Sequence, residues 1–124
     1  MTKKLFALRG AVQCGNDPDD IGNQVSLMYD ELLELNKLEE NDIVSVVFSV
    51  TDDLDAINPC TALRKSGRAA GNLALFSAQE PKCVNSLERI IRVIIHCYLD
   101  EGAFVNHVYR NGAQALRPDR AKSQ

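Results

Sequence analysis

Residues 90–95 read Ile-Ile-Arg-Val-Ile-Ile, a run of β-branched side chains interrupted by one permanent charge. Branched side chains suit a pleated, packed surface, so the run favours a strand. The periodicity of Leu87 to Leu99 does not by itself separate strand from helix, and a helical turn can precede the strand. The arginine constrains the strand further. A guanidinium cannot escape burial by deprotonating, and burying it unpaired is costly. Arg92 must therefore reach solvent or a carboxylate, or line a pocket that expects an anion.

The rest of the chain supplies a sheet for this strand and helices to cover it. Lys4 to Gly10 reads as a first strand and Cys14-Gly15-Asn16 as a turn. Asp17-Pro18-Asp19-Asp20 is a helix start, with Asp17 as N-cap, Pro18 preset in the first turn and acids at its positive end. Ile21, Val25, Met28, Leu32 and Leu35 then form one apolar helical stripe of about four turns. Ile43 to Thr51 is a strand with apolar residues on both faces for much of its length, which predicts a central strand or one covered on both sides. Asp52 to Asp55 is a loop. Asn58-Pro59 repeats the N-cap and first-turn pair and opens a short helix ending at Gly67. Further strands are expected at Leu73 to Ser77 and Val105 to Tyr109, and Asp119 to Gln124 reads as a mobile polar tail. The expected fold is α+β, a mixed sheet with one long and one short helix on one face, in a single domain over residues 1–118 followed by the tail at 119–124. The other face needs cover, which self-association would supply.

Composition narrows the function. The 124 residues are 45% hydrophobic and 25% charged with a net charge of -3, as in an ordinary soluble protein without a basic stripe for nucleic acid. No apolar stretch approaches the roughly 20 residues of a membrane span, and Met-Thr-Lys-Lys-Leu lacks a long apolar leader, so a cytoplasmic setting is expected. Cys14, Cys60, Cys83 and Cys97 show no paired spacing and read as reduced thiols, with Cys60 and Cys83 inert. His96 and His107 lack metal-ligand spacing, so no metal is expected; His96 reads as a strand residue facing a neighbour and His107 as a polar partner near the next strand. No glycine-rich phosphate loop is present, and Ser77 has no triad signature around it.

Four arginines are candidate anion binders: Arg9 at a strand end, Arg64 on the short helix, Arg92 in the aliphatic run, and Arg117 before the tail. For each alone, a surface guanidinium or structural ion pair is the plainer reading, least so for Arg92. Glu80 is a loop carboxylate after a strand, and Tyr109 combines a core-seeking ring with a hydroxyl that needs a partner.

The order of these residues is more specific than any one of them. Leu8-Arg9-Gly10-Ala11, Ser49-Val50-Thr51-Asp52-Asp53-Leu54, Asn58-Pro59-Cys60-Thr61-Ala62-Leu63-Arg64, Gln79-Glu80, Ile91-Arg92-Val93, His107-Val108-Tyr109 and Leu116-Arg117-Pro118-Asp119 occur in register from about Leu5 to Asp119. The series resembles the monofunctional chorismate mutases of the AroH class. The resemblance implies rearrangement of chorismate to prephenate on the route to phenylalanine and tyrosine, with no cofactor and no metal. It implies a homotrimer forming a pseudo-α/β-barrel, with sites at subunit interfaces. By motif, Arg92 would face the ether oxygen and a carboxylate, while Arg9 would bind a carboxylate with Tyr109 at the same end. Glu80 would accept from the ring hydroxyl, and Arg64 and Arg117 would stand near the pocket mouth. Three positions depart from the pattern: Asn58 stands where the family often has phenylalanine, Thr61 where it can have lysine, and Ser77 where it can have cysteine. These bear on substrate affinity more than on reaction type. Two other readings stay open: a non-catalytic trimeric anion-binding module, and an imine deaminase of the RidA type on a similar architecture.

Overall fold

Asp17 and Pro18 start a helix as expected. The Asp17 carboxylate accepts from the Asp20 amide at 3.0 Å, and the helix runs Pro18–Asn36. In the computed structural model, which describes residues 2–68 and 73–117, the order is β1 (Lys3–Gln13), α1 (Pro18–Asn36), β2 (Ile43–Val50), α2 (Pro59–Lys65), β3 (Ala74–Gln79), β4 (Ile90–Asp100) and β5 (Val108–Arg110). The tail expected at 119–124 lies outside the described residues.

The strands form one mixed sheet in the order β3-β2-β4-β1-β5. The arginine-bearing strand β4 is central and antiparallel to both β1 and β2. β2 runs parallel to β3, and β1 parallel to β5. Parallel neighbours need a crossover, and α2 provides it between β2 and β3. α1 likewise returns the chain from β1 to β2, with β4 inserted between them.

Alternation along the strands sends Leu8, Val12, Val46, Phe48, Ile95 and Cys97 to one face, where they bury with Ile21, Val25, Met28 and Leu32 of α1 and Leu63 of α2. Gly10 permits the close approach of α1. A Cβ there would stand 3.0 Å from Met28 Sδ and Val93 Cγ1 and 3.1 Å from Leu32 Cδ1. Both helices thus cover the same face, as the sequence predicts.

Three details differ from the sequence expectation. Leu35 is 47% exposed, because the left-handed turn at Lys37 ends α1 and brings Leu38 into the core instead. β1 extends past Gly10 to Gln13, since β4 pairs with it as far as Ile90. The last strand is shorter than 105–109: Asn106 bonds to the buried Asn36 side chain, donating its amide to Oδ1 at 2.8 Å and accepting from Nδ2 at 2.9 Å. β2 takes the central placing expected of it, with β3 on one edge and β4 on the other, and is covered on one face only. Val44 is exposed at a bulge between Ile43 and Ser45, and Val47 lies on the face away from the helices. No helix among the described residues is long and apolar enough to cross a membrane.

Candidate active site

The strand register decides which side chains share the uncovered face. Arg92 of β4 pairs with Ala11 of β1 and Ser49 of β2, and Ala11 pairs with Tyr109 of β5, so these four residues form one row across the sheet. In the next row Ile94 lies between Arg9 and Val47. Small neighbours on both sides leave the Arg92 stem room on the surface. The outcome is a cleft of about 430 Å³ whose lining includes Arg9, Arg92, Tyr109, Arg117, Val47 and Ile94.

Arg92 therefore finds two of the outlets that its sequence position demands. Its side chain is 48% exposed, and Nε lies 3.5 Å from Glu80 Oε1. The Glu80 carboxylate also accepts from Ser49 Oγ at 2.5 Å. Glu80 follows β3, and its amide donates to the Val50 carbonyl at 2.7 Å, which fixes the carboxylate at the sheet end beside Arg92. A second hollow of about 310 Å³ contains Glu80 and shares Arg92 and Leu116 with the first. Arg9, Arg92 and Arg117 on the cleft lining, with Glu80 beside Arg92, make this region attractive to an anion.

Tyr109 is buried with Ala11, Ile90 and Ala113, so its ring is held in a small cluster at the cleft wall. Arg9 is exposed on its strand, and among the described residues no carboxylate pairs with it. Its amide donates to His107 Nδ1 at 2.9 Å. His107 thus takes the polar role expected of it, and His96 faces its strand neighbour Ser45, with Nδ1 3.0 Å from the hydroxyl.

The other expected site residues gather elsewhere. Asn58 caps α2, its Oδ1 accepting from the Cys60 amide at 2.8 Å and from Ser77 Oγ at 3.2 Å. Asn58 and Ser77 line a separate hollow of about 330 Å³, and Thr61 and Arg64 lie on the helix that follows. Ser77 pairs with Phe48, which places it on the helix-covered side of the sheet. Within one chain, then, Arg9, Arg92, Glu80, Tyr109 and Arg117 come together, while Asn58, Thr61, Arg64 and Ser77 form a second group. Sequence reasoning assigned no role to Ser49 or Val47. Their signal is the two-residue spacing along β2, which becomes informative only once β2 is paired with β4.

The buried cysteines are not built as nucleophiles. All four are free thiols, and Cys14, Cys60 and Cys97 are buried. Burial pushes the Cys14 and Cys97 thiols up to about 11 and raises Cys60.

The family profile for Chorismate mutase type I matches residues 5–120. The chain belongs to the type I chorismate mutases. Its activity is that of a chorismate mutase, an isomerase, rather than an imine deaminase or a module without turnover. The chain is 33% identical over 120 residues to chorismate mutase AroH of Thermus thermophilus, covering 94% of this chain and 97% of that protein. It is 29% identical over 118 residues to chorismate mutase AroH of Bacillus subtilis strain 168, covering 93% and 91%. The fold is similar to a chorismate mutase from Clostridium thermocellum, with a TM-score of 0.79 and 38% identity over 89% of this chain and 98% of that one. For this mutase, the arginine-lined cleft on the open sheet face is the candidate active site.

Proposed function

We propose that the mutase works as a homotrimer whose active sites form between subunits. One subunit supplies Arg9, Arg92, Glu80, Tyr109 and Arg117, and its neighbour supplies Asn58, Thr61, Arg64 and Ser77. The observation that carries this reading is the separation of the two groups within one chain, each beside its own open hollow. The uncovered sheet face supports it: Phe76, Leu5 and Tyr98 are 63%, 51% and 44% exposed, an apolar surface suited to a second copy. A cytoplasmic setting fits the four unpaired thiols.

Conversion of chorismate to prephenate breaks one C–O bond and forms one C–C bond within the same molecule. The protein's tasks are to hold the side chain of the substrate over its ring and to meet negative charge growing on the ether oxygen. Arg92 takes the second task. Its guanidinium is oriented before substrate arrives by the Glu80 carboxylate, which Ser49 holds in turn. Glu80 keeps acceptor capacity for the ring hydroxyl. Arg9 binds a substrate carboxylate and Tyr109 donates at the same end. Arg64 and Arg117 retain the dianion at the mouth. No general base or bound cofactor takes part in this scheme.

Subunit complementation tests it. R92A and R64A each lower turnover of chorismate, and co-expressing them restores activity to as much as about one quarter of the sites, those formed from the two intact halves. A mixed trimer with no recovery would contradict the shared site. An R64A enzyme with unchanged kcat/KM would remove Arg64 from it.

A further inference from the structure

β1 pairs with β4 along its whole length but with β5 only through Gly10, Ala11 and Val12. That short ladder stops at Val108, and the next β1 donor on the same side is the amide of Arg9. The group that receives it is the His107 imidazole: Arg9 N–H donates to Nδ1 at 2.9 Å. A side chain, rather than a strand carbonyl, therefore closes the β1–β5 ladder at the residue whose guanidinium lines the cleft. His107 is itself anchored from both sides in sequence. Before it, Asn106 is tied through its amide and carbonyl to the buried Asn36 side chain of α1, and through its own Nδ2 to the Leu35 carbonyl at 3.2 Å. After it, Val108 and Tyr109 enter the sheet and Tyr109 lines the same cleft.

We infer that His107 is a positioning residue for the mutase reaction: by accepting the Arg9 amide proton at Nδ1 it fixes the backbone from which Arg9 reaches the substrate carboxylate. The inference rests on the reading of Arg9 as a carboxylate-binding residue. It requires that Nδ1 carry the lone pair and Nε2 the proton. It also assigns His107 a role that needs no contact with substrate, since the imidazole acts through a main-chain donor. Asparagine is the informative replacement, because its Oδ1 sits at the same distance along the side chain and accepts as Nδ1 does. Leucine keeps similar bulk and removes the acceptor.

The test is a set of variants assayed for chorismate turnover, with near-ultraviolet circular dichroism reporting assembly. H107L is expected to lower kcat/KM roughly tenfold, the scale of a misplaced binding group. H107N is expected to recover to within about threefold of the parent enzyme. Adding H107L to R9A should lower kcat/KM no further, because His107 acts through Arg9. In the unsubstituted enzyme, nitrogen-15 NMR of the histidines should find the His107 Nδ1 unprotonated at neutral pH, a readout independent of any variant's folding. A protonated Nδ1, an H107N as impaired as H107L, or equal losses from H107L with and without Arg9 would each overturn the inference. An R9A enzyme with unchanged kcat/KM would overturn the reading of Arg9 along with it. A loss in R9A with none in H107L would overturn the role of His107 alone.

Discussion

Replacing Arg92 with alanine should separate activity from stability. The ion pair it forms with Glu80 spans 3.5 Å between side chains that are 48% and 23% exposed. A pair so well hydrated contributes at most about 1 kcal/mol, because water screens the attraction and two long side chains lose freedom in holding it. The melting temperature of R92A should therefore fall by no more than about 3–6 °C, the shift that about 1 kcal/mol produces in a domain of this size. On the proposed role of Arg92, the transition state loses far more. A donor aimed at developing negative charge is worth about 3–4 kcal/mol, so kcat should drop roughly a hundred- to a thousandfold. Both quantities are accessible on the same preparation, kcat from the spectrophotometric loss of chorismate and melting from circular dichroism. R92K refines the test by keeping the charge and removing the planar fork that lets Nε meet Glu80 while other nitrogens face the cleft. A kcat within a fewfold of the parent enzyme would refute the assignment. A collapse in melting temperature would show instead that Arg92 holds the sheet together, and the half-exposed geometry argues against that.

Two further outcomes follow from the core. Gly10→Val should destabilise the protein by about 1–3 kcal/mol, because Met28, Leu32 and Val93 already stand within 3.1 Å of the position of a Cβ; an unchanged denaturation midpoint would mean that α1 can lift at no cost. Stability should also fall at alkaline pH through Cys14 and Cys97. The folded chain keeps these protons up to about 11, whereas the unfolded chain gives them up near the ordinary thiol value of 9.0, so their contribution is complete below about pH 9 and drains as pH rises towards 11. Melting curves of the parent enzyme against C14A/C97A across that window check the sign, and a steeper alkaline loss in the variant would reverse it.

How much of this was legible in the sequence depended on distance along the chain. Asp17-Pro18 and Asn58-Pro59 announce both helices because a cap and the turn it serves lie within three residues of each other. The stripe from Ile21 to Leu32 is equally local. Leu35 misleads, since the end of α1 is set by a left-handed turn at Lys37, where no glycine marks the position. The placement of β4 between β1 and β2 was not legible at all: it joins residues from 41 to 97 positions apart, and no local preference encodes it. The site divides in the same way. Its residue types were available from the ordered motifs, but the faces they occupy were not. Arg9 and Arg92 share a cleft only because Arg9 opposes Ile94 and Ala11 opposes Arg92, and a slip of one residue would send one set of side chains to the helix side. Asn58 was read both as a cap and as a site residue, and its bond to the Cys60 amide establishes the first role.

The central place of β4 also governs when the enzyme can form. β1, α1 and β2 are synthesised first, yet β1 and β2 do not touch as sheet neighbours; the strand that joins them runs Ile90–Asp100. Until those residues leave the ribosome, the N-terminal half has two strand edges and no sheet between them. Long-range pairing of this kind is slow to close, because a large loop must lose its freedom before any contact compensates for it. The strand that carries Arg92 thus joins the two earlier strands late, and a nascent chain lacks its arginine-lined cleft until that strand and the short β5 beyond it are in place.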